Sequence, residues 1–290
     1  MINISNLTYK TLLGSVLLDD VSLQINDGEM FGVLGHNGAG KTTLIKLIVG
    51  LNQPTSGSIK YAVDSGETYG PQSSVLQNQI GFVPEQPVLP LFMTSREYLE
   101  FHGALAKKQV DYSDTLKRVH LPQDGRQLIA TFSKGMQQRL SIAQALLHKP
   151  RYLICDEPMS GLDPVARRQL REIFLDLNRV GITIVFSTHI LQDVESLCDR
   201  IAYLKKGRLV KYGVLSSVFE APHLSYEVHF NAPLPPTIYR ELNVTPRNIM
   251  RGVAVEVENE KLSLLLSEIT RAKGEVYLVH PRRSVFEESI

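Results

Sequence analysis

The sequence predicts an α/β fold: a parallel sheet with helices on its faces, an antiparallel β subdomain, a helical subdomain, and a small C-terminal α+β domain. Three patterns predict it. The runs Met30 to Leu34, Tyr152 to Cys155 and Ile182 to Phe186 are short, almost uniformly apolar and end in glycine or polar residues, as strands buried on both faces do. Helical spacing fills the interval between the last two. From about Ser225 the pattern restarts, with strands and a helix of its own.

In chain order, the first thirty residues alternate apolar and polar positions, at Ile2, Ile4 and Leu7 and again at Val21, Leu23 and Ile25, so antiparallel strands with one wet face are expected. Met30 to Leu34 then runs into a glycine-rich segment and a helical run, Leu44 to Val49. From about Thr94 to His148 the apolar positions keep helical spacing with no convincing strand, which predicts a helical insert at about 94–148. Asp163 and Pro164 start a helix, because the carboxylate accepts from free N–H groups and proline suits the first turn. Ala166, Leu170, Ile173, Phe174 and Leu177 share a face of it, and Gly181 ends it. Ile201 to Leu204 and Leu209 to Tyr212 flank Lys-Lys-Gly-Arg as a hairpin. Further on, Tyr226 to Phe230, Val253 to Val257 and Glu275 to Val279 suit strands, around a helix with Leu262, Leu265, Leu266 and Ile269 on one face. The boundary falls between Leu215 and His223, where Pro222 interrupts, giving domains 1–218 and 219–290.

A chain of 290 residues exceeds the roughly 100–200 of one domain. With 43% hydrophobic and 21% charged residues it can build a sizeable core, which argues against disorder. The net charge of +1, with no long run of one sign, gives no reason to expect a nucleic acid partner. No stretch approaches the roughly 20 apolar residues of a membrane span, and the start MINISNLTYK lacks a basic region followed by an apolar core. The expectation is therefore a cytoplasmic chain that works at a membrane only by docking there. Cys155 and Cys198 are expected as buried, reduced thiols.

The strongest motif is Gly35-His36-Asn37-Gly38-Ala39-Gly40-Lys41-Thr42-Thr43, which fits G-x-x-x-x-G-K-[ST] between a buried strand and a helix. Glycines let backbone N–H groups turn toward a phosphate, the helix N-terminus favours negative charge, Lys41 reaches the terminal phosphates and Thr42 can ligate Mg²⁺. Downstream, the strand Tyr152 to Cys155 ends in Asp156-Glu157-Pro158. Beside a phosphate loop, Asp156 is placed to hold Mg²⁺ through water, and Glu157 to orient or deprotonate an attacking water; taken alone, the pair could simply cap a strand.

Phe132-Ser133-Lys134-Gly135-Met136 begins a helix with a serine cap and an early glycine, leaving N–H groups free for an anion. It resembles the signature motif of ABC ATPases, commonly L-S-G-G-Q: Ser133 and Gly135 match, and Lys134 and Met136 follow the S-K-G-M variant of export-type, ABC-2-like systems. On that resemblance, which covers about residues 1 to 215, the fold is a P-loop ABC ATPase core. Ser160 to Asp163 looks like the D-loop and His189 like the switch histidine that contacts the γ-phosphate. Glu85 stands where the family's Q-loop glutamine is usual, with Gln86 beside it, and either could ligate the metal. The usual adenine-stacking aromatic is displaced, since Thr11 or Leu12 falls in its register; Tyr9 is the nearest substitute, and a plain core or sheet-face tyrosine is an equal alternative.

The resemblance implies a subunit that binds ATP with Mg²⁺ and hydrolyses it in a head-to-tail homodimer or pseudo-dimer, with Lys41 of one subunit and Ser133 of the other on the same nucleotide. It implies a separate transmembrane permease, engaged through Glu85 to Arg96 and the helical insert, at the inner face of the cell membrane. Two alternatives are a soluble ABC ATPase acting on nucleic acid or ribosomes, which usually carries a long coiled coil or two cassettes, and a P-loop GTPase or kinase, for which no N-K-x-D motif is present. The loop, Pro84-Glu85 and S-K-G-M are also similar to ATPases that serve nitrous-oxide reductase maturation. The tail Pro281 to Phe286 carries no assigned role.

Overall fold

Alternation at the start of the chain becomes a hairpin. β1 (Ile2–Lys10) and β2 (Val16–Ile25) pair antiparallel, with Ile2 opposite Ile25 and Leu7 opposite Val21. Val21, Leu23 and Ile25 are buried while Ser22 and Gln24 are exposed, so one face meets the core and the other water. β3 (Met30–Leu34) is buried at every position and leads through residues 35–40 into α1 (Lys41–Ile48). β4 (Ser56–Ala62) and β5 (Thr68–Tyr69) complete a four-stranded sheet in the order β2-β1-β4-β5. The sequence pattern does not mark these two strands, because only Ile59 and Tyr61 of β4 are buried and β5 is two residues long.

After α2 (Ser74–Gln77) and β6 (Ile80–Val83) come three helices, α3 (Ser95–Leu105), α4 (Tyr112–Arg118) and α5 (Lys134–Leu146). Thr94 and Glu97 form a reciprocal capping box at the start of α3. β7 (Tyr152–Cys155), α6 (Pro164–Arg179), β8 (Thr183–Thr188), α7 (Leu191–Leu197), β9 (Arg200–Lys205), β10 (Arg208–Val214) and α8 (Leu215–Val218) follow. Asp163 caps α6 by accepting from Val165 and Ala166 N–H, both at 2.9 Å. The central sheet has six strands in the order β10-β9-β3-β8-β7-β6, parallel except for β10 at the edge. Phe174 of α6 packs on Phe186 of β8 with ring centroids 5.9 Å apart.

This computed structural model describes residues 1–63, 66–106, 111–218, 224–232 and 234–283, in two compact units, Met1–Val218 and Phe219–Ile290. The second unit contains β11 (Leu224–Phe230), α9 (Pro236–Leu242), β12 (Arg247–Ile249), β13 (Gly252–Glu258), α10 (Asn259–Arg271) and β14 (Val276–Arg283). Its antiparallel sheet has the order β12-β13-β11-β14. Val228, Phe230, Val255, Val257, Leu265 and Ile269 form its core. The sequence pattern misses α9, which buries only Leu242, and β12, which is three residues long. Of the tail, Pro281 to Arg283 belong to β14, an edge strand where proline is tolerated, and residues 284–286 lie outside the described residues. Among the described residues no helix is long and apolar enough to cross a membrane.

Candidate nucleotide site

Four adjacent parallel strands end side by side, and each hands the chain to a candidate residue. Leu34 of β3 pairs with Thr188 of β8, Phe186 with Cys155 of β7, and Cys155 with Val83 of β6. The next residues are the phosphate loop, His189, Asp156-Glu157 and Pro84-Glu85. Ligand crevices in open α/β sheets form at this carboxyl edge.

The loop's local geometry follows from its glycines. Gly40 caps α1 at φ +103°, and a Cβ there would lie 2.8 Å from both the Leu17 carbonyl oxygen and Leu18 Cδ2. Only glycine allows that backbone and that approach of β2. The turn delivers Lys41 to the first position of α1, where it is 5% exposed. Its Nζ donates to the carbonyls of Gly35 (2.7 Å) and His36 (3.0 Å) and lies 3.0 Å from Glu157 Oε1.

Glu157 has φ +44°, the left-handed region, uncommon for a residue with a Cβ and costing on the order of 1–3 kcal/mol. Ser187 braces it. The Glu157 N–H donates to Ser187 Oγ at 2.8 Å, and the Ser187 hydroxyl donates to Asp156 Oδ1 at 2.6 Å. On the other side, His189 Nδ1 lies 2.9 Å from Glu157 Oε2. Lys41, Glu157 and His189 thus form one continuous set of contacts, its two inner members buried and its outer member half-exposed.

These residues wall a cleft of about 200 Å³. His36, Asn37, Gly38, Gly40, Lys41, Thr42, Thr43, Glu85, Glu157 and His189 all line it, as does Ser160. Gly35 and Ala39 frame the loop without lining it; Ala39 is buried, and its carbonyl accepts from the Gly207 N–H. Asp156 sits behind Glu157, 5% exposed and tied to Ser187. Of the two Q-loop candidates, Glu85 lines the cleft and Gln86 does not. Tyr9 is not brought there: it sits within β1 opposite Leu18 and packs, partly buried, on the core. The turn beyond β1 exposes Leu12 and Leu13.

Ser133 and Gly135 are also absent from this cleft. Ser133 caps α5, accepting from the Met136 N–H at 3.3 Å, and is itself exposed. Gly135 is buried against α6, where an added Cβ would meet Ala166 Cβ at 2.6 Å.

Cys155 and Cys198 are free and buried. Burial pushes both thiols upward in pKa, and the neighbouring Asp156 and Asp199 add to it, so neither is reactive. Ser187, fully buried behind Glu157, is the residue of this site to which sequence reasoning gave no role. For Ser187 a signal existed, a serine at the end of the otherwise apolar run Ile184-Val185-Phe186.

The ABC transporter family profile matches residues 18–160. An uncharacterized ABC transporter ATP-binding protein of Nostoc is 39% identical over 70% of this chain and 61% of its own length. The linearmycin resistance ATP-binding protein of Bacillus subtilis is 37% identical over 68% of this chain and 64% of its own. The chain thus spans less than two thirds of the length of these curated relatives. An uncharacterized ABC transporter ATP-binding protein of Methanocaldococcus jannaschii is 35% identical over 75% of this chain and 79% of its own. Among solved structures, the cbiO1 part of the Clostridium perfringens cbiONQ transporter complex aligns with TM-score 0.67 and 28% identity, covering 76% of this chain and 90% of that one. A dimeric ATP-binding cassette in a post-hydrolysis state, bound to ADP and Pi, aligns with TM-score 0.64 and 27% identity, covering 74% and 99%. The fold, the phosphate loop and these similarities agree: the chain belongs to the family of ABC transporter ATP-binding proteins.

Proposed function

We propose that this chain binds ATP at Gly35 to Thr43 and hydrolyses it as one half of a head-to-tail dimer, and that the dimer drives a separate membrane-spanning partner. One observation carries the reading. Lys41, Glu157 and His189 converge in one cleft, while Ser133, at the start of α5, stands exposed and outside it. A phosphate site that leaves its signature serine outward is completed by a second chain.

The chemistry follows from the contacts. A γ-phosphate entering the loop competes with Glu157 for Lys41, and the freed carboxylate can then align water for in-line attack. His189, already on Glu157, is placed to donate toward the same phosphate oxygens. The Lys41 ammonium and the first N–H groups of α1 meet charge that develops on the phosphates.

The residues suit Mg²⁺. Thr42 and Glu85 offer hard oxygen donors in the cleft, and Asp156 adds a carboxylate behind it. Among the described residues no three His, Cys, Asp or Glu converge as a complete cage. Mg²⁺ prefers one or two protein oxygens, with water and phosphate completing its shell. Bound there, it would neutralise charge on the phosphates.

Val88, Leu91 and Phe92 are exposed apolar residues between Glu85 and Arg96, and Phe101 and Leu105 of α3 add to them. Such a patch suits docking of a membrane partner at the cytoplasmic face. The S-K-G-M signature and the similarity to a resistance protein favour export or ABC-2-type work over a nucleic acid role.

Two measurements on the intact chain test this. Lys41→Ala should weaken ATP binding at least 10-fold; unchanged affinity would overturn the assignment of the loop. Affinity isolation from cells should bring down a multi-span membrane protein. Recovery of ribosomes or nucleic acid in its place would overturn the transport reading.

A further inference from the structure

Asp193 lies in the first turn of α7, four residues after His189, with its side chain fully buried. Its Oδ1 accepts from Arg171 at 2.8 Å, and Arg167 stands 3.9 Å from the same oxygen. Both arginines come from α6, one turn apart, and are 30% and 23% exposed. Asp193 Oδ2 and the Nε atoms of both arginines are buried without a hydrogen-bond partner. A buried ion pair with unfilled bonding capacity adds little to stability beyond what apolar packing of similar volume supplies. Its placement supplies a different reason.

α6 begins at the Asp163 cap, immediately after the Ser160 segment of the cleft, and α7 begins immediately after His189. The pair therefore joins the two helices that continue from two walls of one site. α7 has only seven residues, and its N-cap, Ile190, makes no side-chain capping bond. So short a helix has little stability of its own, and tertiary contacts set its position. Val194 and Leu197 supply apolar contact, which is not directional; the Asp193 clasp is directional.

We infer that Asp193 is a positioning residue for His189: through Arg171 and Arg167 it locks α7 to α6 and so keeps the His189 imidazole on Glu157. The inference rests on the roles of Glu157 and His189 proposed above. With the clasp cut, the phosphate loop is untouched and the histidine swings free of the carboxylate.

The test is Asp193→Asn in the full chain, which keeps shape and removes charge, followed by steady-state ATP hydrolysis. The expected result is a kcat about 10-fold lower with KM for ATP within about twofold of the parent. In a His189→Ala background the same change should alter kcat by less than about twofold, because the two act as one unit. The His189 ring signals in NMR should move toward those of a free imidazole, while the other histidines stay in place. Arg171→Met, at a part-exposed site, gives the same pattern about threefold in size if Asp193→Asn does not fold. Equal losses in both backgrounds, or unmoved ring signals, would reduce Asp193 to a structural role. A His189→Ala chain with normal turnover would instead fell the catalytic reading itself, and this inference with it.

Discussion

Ser187→Ala removes one oxygen from a fully buried site and should cost more than its size suggests. Ser187 is 0% exposed, accepts from the Glu157 N–H at 2.8 Å and donates to Asp156 Oδ1 at 2.6 Å. Alanine leaves an N–H buried without an acceptor, at about 1–3 kcal/mol, and takes from a carboxylate a hydrogen bond of about 1.5–3 kcal/mol. The two losses share one atom and do not simply add, so the expected destabilisation is about 2–5 kcal/mol. For a unit of this size about 1 kcal/mol corresponds to roughly 2–4 °C, which predicts a fall in Tm of about 5–15 °C. Turnover should suffer as well. Glu157 sits at φ +44° because Ser187 holds its N–H, and once released its carboxylate can leave the line between Lys41 and His189. A kcat about 10- to 100-fold lower, with KM for ATP little changed, is expected. Thermal unfolding and steady-state ATPase measurements on the same preparation check both numbers. A Tm within about 2 °C of the parent and an unchanged kcat would refute the bracing argument.

Gly135→Ala should destabilise the first unit by about 1–3 kcal/mol, since the new Cβ meets Ala166 Cβ at 2.6 Å, and Ala166→Gly should restore most of the loss in the double variant. Cys155 and Cys198, with pKa raised by burial, should react with a thiol reagent only on unfolding; at pH 8 labelling should track global denaturation, and rapid labelling of the native chain would contradict their placement. Chelation of divalent cations should abolish hydrolysis while leaving Tm without nucleotide unchanged, because the described residues contain no metal cage. A Tm drop on chelation would reveal a structural ion.

Much of the central sheet was legible because its strands are buried on both faces. Met30 to Leu34 and Tyr152 to Cys155 carry an apolar signal at every position, and the structure ends each of them at the same residue. β4 and α9 were not, since each buries too few side chains to leave a period. In the site, local motifs announced Lys41, Glu157 and His189, but the contacts among them are set by register between strands far apart in the chain. Glu85 shows the difference: sequence order left it level with Gln86, and only the end of β6 decides which side chain lines the cleft. Tyr9 illustrates the same limit: position along β1 does not specify where its ring packs, and the structure seats it partly buried against the core.

The composite site is tested most directly by the oligomeric state of Glu157→Gln. That change removes the carboxylate facing Lys41 at 3.0 Å, so bound ATP is neither displaced from the ammonium nor cleaved. Sedimentation of this variant with Mg²⁺ and ATP should give a dimer, and a monomer with ADP or without nucleotide. Ser133→Glu in the same chain should return the ATP-loaded protein to a monomer without loss of nucleotide. An ATP-bound monomer under every condition, or a dimer indifferent to Ser133, would contradict the account.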